Sequence, residues 1–236
     1  MFFSQKNKSS SKKIIFNQKE VDIVISDRAR SIKLSFAKGR LRLTLPRGVS
    51  EKRGLQFMQD QWDWVVRQEK KQPAPYRFQT GMTISLLGQD LQIVHQPVAR
   101  RGVWQEGNKL YVSGEEAFLH RRVCDYIKRV TLPALKYIVQ EKTAVLGVKA
   151  GKITLRDTSS RWGSCSSTGN LSFCWKIALA PDFVRDYLVA HEVAHLIEMN
   201  HSDRFWALVA QLTDSRALAH SWLRRHGGEL QAIDKI

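Results

Sequence analysis

Three histidines and a glutamate carry the spacing in this chain that could do chemistry: His191, Glu192, His195 and, six residues on, His201. The run His191-Glu192-Val193-Ala194-His195 is an H-E-x-x-H pattern, the sequence sign of a zinc-binding helix. Residues four apart on a helix share a face, so both imidazoles reach one ion. Glu192 then stands where it can act as general base toward a zinc-activated water. A catalytic zinc takes three protein ligands and leaves one position open. The third is His201 or Glu198. Glu198 lies about 10 Å along the axis from His191 at ~1.5 Å per residue, and three ligands strung on one straight helix do not converge. His201 converges only if the chain turns back. The spacing therefore predicts a helix ending near Met199, a bend at Asn200, whose residue type tolerates the left-handed region, and a new helix capped by Ser202. Tyr187 and Arg161 are the candidates for stabilising an oxyanion.

The pattern needs a helix to stand on, and the flanking residues supply one. Pro181 suits a first turn. Phe183, Tyr187, Ala190, Ala194 and Ile197 make an apolar stripe beside a second stripe of Leu188, His191, His195 and Glu198, an amphipathic arrangement. Upstream, a helical pattern runs from Glu115 to about Leu146, with Pro133 expected to kink or split it. Extended segments at 152–157 and 171–175 flank a stretch dense in turn formers, Ser159 to Asn170. A last helix with Leu218, Trp222 and Leu223 is expected to stop at Gly227-Gly228.

The N-terminal half reads differently. Val21 to Ile25, Ser31 to Phe36 and Leu41 to Leu45 have strand patterns, the last two joined by a turn at Lys38-Gly39. Ser50 caps a helix expected to reach Lys70. After Gln72-Pro73-Ala74-Pro75, strands at Met82 to Leu87 and Leu91 to His95 flank a Gly88-Gln89-Asp90 turn. Val103-Trp104 and Leu110 to Val112 flank another at Glu106-Gly107-Asn108. The chain divides on this reading into a disordered basic tail (1–13), a β-rich module with one helix (14–113) and a metal-motif domain (114–236). No internal repeat is evident.

The formal net charge is +16, and it is uneven: residues 1–50 hold 12 Lys/Arg against 3 Asp/Glu, while residues 151–200 hold 5 against 5. A basic N-terminal region beside a neutral motif region makes nucleic acid a partner to weigh. No apolar run approaches the ~20 residues of a membrane span, and the polar N-terminus does not read as a secretory signal. Three sparse cysteines fit free thiols in a reducing compartment, hence a cytoplasmic protein. Cys165 and Cys174 are spaced to face each other across a hairpin, but small buried thiols are the simpler reading.

Further residues extend the motif. Ser160-Arg161-Trp162-Gly163-Ser164-Cys165, Leu179-Ala180-Pro181, His191 to Leu196, and Met199-Asn200-His201-Ser202 with Phe205-Trp206 together resemble the YgjP-like metallopeptidase family, relatives of the SprT-like and Wss1-type zincins. The resemblance implies an α+β, zincin-like metallopeptidase domain behind a β-rich module. It also implies one zinc ion per chain, held by His191, His195 and His201, with Glu192 catalytic and a protein or peptide substrate. It further places Arg161 and Trp162 near the substrate, where an extended peptide would lie along a strand edge. Competing readings are a nucleic-acid-associated protein working through the basic N-terminal region, a protease recruited to DNA, and a zinc-bound but inactive interaction module.

Overall fold

The computed structural model describes residues 11–37, 40–70, 73–158 and 161–234, and its chain falls into two units, Met1–Ala74 and Pro75–Ile236. The architecture is mixed α+β with an N-terminal sheet, the expected class. The first ten residues of the expected tail and the Lys38-Gly39 turn lie outside the described residues, while Ser11 to Lys13 already belong to a strand.

Unit 1 is a four-stranded sheet with helices against one face. Strands β1 (Ser11–Phe16), β2 (Lys19–Ser26), β3 (Lys33–Ala37) and β4 (Arg40–Pro46) lie in the order β1-β2-β4-β3, with β2 and β4 parallel and both outer pairs antiparallel. Alternation puts Val21, Ile23, Leu41, Leu43 and Leu45 inward, where Met58 and Val65 complete the core. The expected single helix is two, α1 (Glu51–Asp60) and α2 (Trp62–Lys70), broken at Gln61. Ser50 caps α1 as expected, accepting a hydrogen bond from the Arg53 N–H at 3.3 Å.

Unit 2 begins with a second sheet of the same plan. Strands β5 (Thr83–Leu86), β6 (Gln89–Gln96), β7 (Val103–Glu106) and β8 (Lys109–Ser113) lie in the order β5-β6-β8-β7, again with a parallel inner pair and antiparallel outer pairs. The likeness extends to detail. The β1–β2 turn is Asn17-Gln18, at φ 46° and 64°, and the β5–β6 turn is Leu87-Gly88, at φ 51° and 82°, seventy positions on. Both have two consecutive residues in the left-handed region, the turn that suits a two-residue hairpin. Seventy positions also separate Val21 from Leu91 and Ile23 from Ile93, all buried, and the Ala29 N–H bond to Ser26 O from the Ala99 N–H bond to Gln96 O. The chain thus contains an internal repeat that its side chains obscure. The copies differ in surroundings: in unit 2 the Leu87 N–H donates to Ala178 O at 2.8 Å, and a Cβ on Gly88 would meet the Asp182 carboxylate at 2.9 Å.

This second sheet shares one core with the helices that follow, from Ile84, Leu91, Ile93, Leu110 and Val112 through Val123, Ile127 and Leu135 to Phe173, Val189 and Phe205. The observed division is therefore at 74/75, whereas the sequence reading put 14–113 together. The reason is burial: the inward face of β5 to β8 covers helix α3 (Leu119–Leu146). That helix runs through Pro133 without splitting. A small sheet follows, β10 (Gly163–Cys165), β11 (Leu171–Cys174) and β9 (Ile153–Arg156) in the order β10-β11-β9, leaving β10 at an edge. Then come α4 (Asp182–Ala194), α5 (Asp203–Leu212) and α6 (Arg216–Gln231). Helix α6 passes the expected stop at Gly227, which is buried with Trp162 only 3.3 Å from where its Cβ would be.

The ends of unit 2 meet. Tyr76 bridges to Ile233, with the Tyr76 N–H donating to Ala232 O at 3.1 Å and the Asp234 N–H to Tyr76 O at 2.9 Å. Buried Lys176 donates to Ile233 O at 2.8 Å, and His120 Nε2 lies 3.2 Å from Asp234 O. The Phe78 N–H donates to His120 Nδ1 at 3.0 Å, so His120 is a neutral imidazole protonated at Nε2. Among the described residues no helix is long and apolar enough to cross a membrane.

Candidate metal centre

Helix α4 is less amphipathic than its sequence suggests. Val184, Arg185, Tyr187, Leu188, Val189, Ala190, Glu192, Val193 and Ala194 are all buried, because α3, α5, α6 and β10 surround it. His191 and His195 emerge at its C-terminal end. The helix ends at Ala194, not near Met199, and residues 195–197 continue as a tight turn with Leu196 N–H to Val193 O and Ile197 N–H to Ala194 O. The reversal is therefore spread over several residues. Asn200 is not among the residues at positive φ, so the left-handed bend expected there does not form. Ser202 caps α5 as expected, accepting from the Phe205 N–H at 3.3 Å.

That reversal brings His201 back. One ring nitrogen each from His191, His195 and His201 lie within 4.8 Å of one another, and the Nε2 atoms of His191 and His201 are 3.1 Å apart. Two imidazole nitrogens on a tetrahedral zinc are about 3.3 Å apart, given bonds near 2.0–2.1 Å. Phe205, fully buried, packs against all three rings at centroid distances of 4.9, 4.5 and 4.7 Å. His195 Nδ1–H donates to the Glu198 carbonyl at 3.0 Å, which turns its Nε2 toward the cluster, as outer partners of metal-binding histidines do. Glu198 thus orients a ligand through its backbone, while its carboxylate accepts from the Asn200 N–H at 3.2 Å. His191 Nδ1 is buried without a hydrogen-bond partner, so packing against Tyr187, Phe205 and Trp206 holds that ring.

The electrostatics suit a cation. Burial, reinforced by His195 and His201, pushes the His191 pKa down to about 4, and burial lowers that of His195. Both are neutral near pH 7, with lone pairs free for a metal. Borderline nitrogen donors in threes match zinc better than magnesium or calcium, which favour oxygen. The residues fit the ion, and three histidines at this spacing could hold one.

Glu192 is not one of the three convergent ligands. It is 5% exposed, and burial drives its pKa up to about 7 against the opposing pull of Arg161. Edge strand β10 lies directly on it: a Cβ on Gly163 would sit 2.4 Å from Glu192 Oε1 and 2.7 Å from Cδ and Cγ. Gly163 is at ordinary φ, so it is there for space. The sequence reading quoted this glycine without its role; a bare residue in an edge strand next to a buried carboxylate is the signal.

The other candidates separate. Arg161 is exposed and acts on Glu192. Trp162 is half-buried, packed on the unit 2 core and against Gly227 of α6. Tyr187 is buried, with its pKa raised by burial. Cys165 sits opposite Leu171 across the β10–β11 pair, not opposite Cys174; all three cysteines are free, and Cys165 is outside the histidine cluster. Three residues outside the candidate set adjoin the cluster: Trp206, quoted above only as part of the extended motif, stacks on His201 at 5.7 Å, Arg216 lies 3.4 Å over the Trp206 ring, and His220 packs edge-on to Tyr187 at 6.5 Å.

The chain's sequence matches the model of a family described as "YgjP-like, metallopeptidase domain" over residues 30–226. No curated protein matches it. Among solved structures, the metallopeptidase zymogen of Pyrococcus abyssi abylysin aligns with 17% identity over 39% of this chain and 93% of that one, at a TM-score of 0.36.

Proposed function

The chain belongs to the YgjP-like metallopeptidase family, and on that premise we propose that it hydrolyses peptide bonds using one zinc ion held by His191, His195 and His201, with Glu192 as general base. The observation that carries this reading is the convergence of the three imidazoles beside a buried carboxylate pinned under Gly163. When bound there, zinc supplies Lewis acidity, which makes a water acidic near neutral pH and polarises a carbonyl. Glu192 takes a proton from the attacking water onto a carboxylate oxygen and returns it to the leaving amide nitrogen as the C–N bond breaks. Its raised pKa suits both halves of that exchange. Phe205 and the Glu198 carbonyl keep the imidazoles aimed.

The β10 edge is the natural seat for substrate. Among the described residues its outer backbone groups have no strand partner, it lies against Glu192, and an open cavity of about 310 Å³ beside it is lined by Arg161, Gly163 and Ser164 among others. An extended peptide adding to this edge would pass the carboxylate. Purified protein should carry about one zinc per chain. Glu192→Gln should retain that metal and lose peptide cleavage; retained cleavage would refute the mechanism, and intact metal without turnover on any protein would favour an inactive interaction module.

A second reading concerns unit 1. Lys33, Arg40 and Arg42 lie on the sheet face opposite its core, within the strongly basic first 50 residues, although Asp22 pairs in register with Arg42. If that face recruits the protease to nucleic acid, affinity falls steeply with salt, and neutralising these three residues flattens the dependence. Salt-independent behaviour would dismiss it.

A further inference from the structure

We propose that Arg216 reads the substrate: it receives a carboxylate lying within two or three residues of the scissile bond, either an acidic side chain or the peptide's free C-terminus. The proposal rests on the peptidase reading. A cavity of about 560 Å³ opens next to the histidine cluster, lined by Trp206, Val209, Thr213, Asp214, Arg216 and His220. The Trp206 indole joins the two, stacked on His201 at 5.7 Å and lying 5.9 Å from His191. On it rests Arg216, 3.4 Å from the ring centre. The guanidinium is therefore within about 9 Å of the His201 ring, the span of two to three extended residues. Arg216 is also close enough to act electrostatically on His191 and Tyr187.

A guanidinium resting on an indole face keeps its N–H donors available for bidentate carboxylate recognition. Among the described residues no carboxylate forms an ion pair with Arg216. Asp214 lines the same cavity and opposes the effect, so it sets the size of the preference. Both residues are exposed, and a pairing in such a setting is worth about two- to fivefold in specificity.

The test uses the zinc-loaded full chain. A bond cut in a proteome-derived peptide library is resynthesised with Glu, Gln or Lys at each of the three positions on either side, and with a C-terminal acid or amide. Wild type should favour Glu over Gln by about two- to fivefold at one position, or the acid over the amide, which identifies the source of the carboxylate. Arg216→Gln should erase that preference, Arg216→Glu should invert it toward Lys, and Asp214→Asn should widen it. The same peptides, titrated calorimetrically into zinc-loaded Glu192→Gln, should show the same order in binding. Cleavage with no charge preference, or a Glu preference surviving in Arg216→Glu, overturns this inference and leaves the peptidase reading standing. Absence of cleavage by wild type overturns both.

Discussion

Replacing Gly163 by alanine exchanges a hydrogen for a methyl group, and the structure says where the new carbon goes. The new Cβ would sit 2.4 Å from Glu192 Oε1, well inside the 3.0 Å that real Cβ atoms essentially never cross. To restore contact near 3.4 Å, the carboxylate or β10 must shift by about 1 Å, and the buried Glu192 has little room to do so. A misplacement of that size at a reacting group costs about 100-fold in rate. Overpacking costs a further 1–3 kcal/mol or so of stability. The backbone at Gly163 suits alanine, and the three nearest atoms all belong to Glu192, so the carboxylate takes the closest contact. Gly163→Ala should therefore keep its zinc, lose about two orders of magnitude in kcat/KM, and melt a few degrees lower. Because the damage runs through Glu192, combining it with Glu192→Gln should add almost nothing to the loss in that single variant. Metal analysis, kcat/KM on a peptide cut by wild type, and thermal denaturation decide the matter. A Gly163→Ala protein with kcat/KM within threefold of wild type would refute the claim that this glycine seats the base.

His201→Ala should abolish stoichiometric zinc, whereas Glu198→Ala should leave affinity within about threefold, since Glu198 aims His195 through its backbone carbonyl; metal titration against a chelator separates the two. Burial holds His120 below its ordinary 6.5, so the folded state binds fewer protons than the unfolded one just below that pH. His120 therefore contributes its full stability above about 6.5 and loses it as pH falls toward the folded value; denaturation midpoints between pH 5 and 8 should show a shallower acid slope in His120→Gln, and an unchanged slope would contradict this. Burial pushes the Cys124 thiol up to about 12 and raises Cys165 and Cys174, so native protein should react slowly with a thiol reagent at pH 8, half-buried Cys165 first and Cys124 only on unfolding.

The histidine cluster was legible because its geometry is local. Helical rise favoured His201 over Glu198 as the third convergent residue and required a reversal before His201, and Ser202 announced the next helix. The end of α4 was not, since the residues from His195 to Met199 keep helical composition while tertiary packing ends the helix five residues early. The unit boundary depends on which face of β5 to β8 is covered, and a strand pattern does not say by what. Pro133 misled because a helix packed along its length tolerates one lost hydrogen bond. Gly227 misled in the opposite way, reading as a stop when it makes room for Trp162. The repeat stayed hidden because its signal is backbone conformation: Asn17-Gln18 and Leu87-Gly88 share φ values, not side chains.

The pairing of Tyr76 with Ile233 has a mechanical consequence. A pull applied to the two ends of unit 2 is borne first by two backbone hydrogen bonds and by the grips of His120 and Lys176 on the carbonyls beyond them. None of the three clustered histidines takes part in those contacts. Tension on the polypeptide at these points, as when an unfolding machine engages either end, should open the clasp at its weakest bonds while the imidazole cluster still holds its shape.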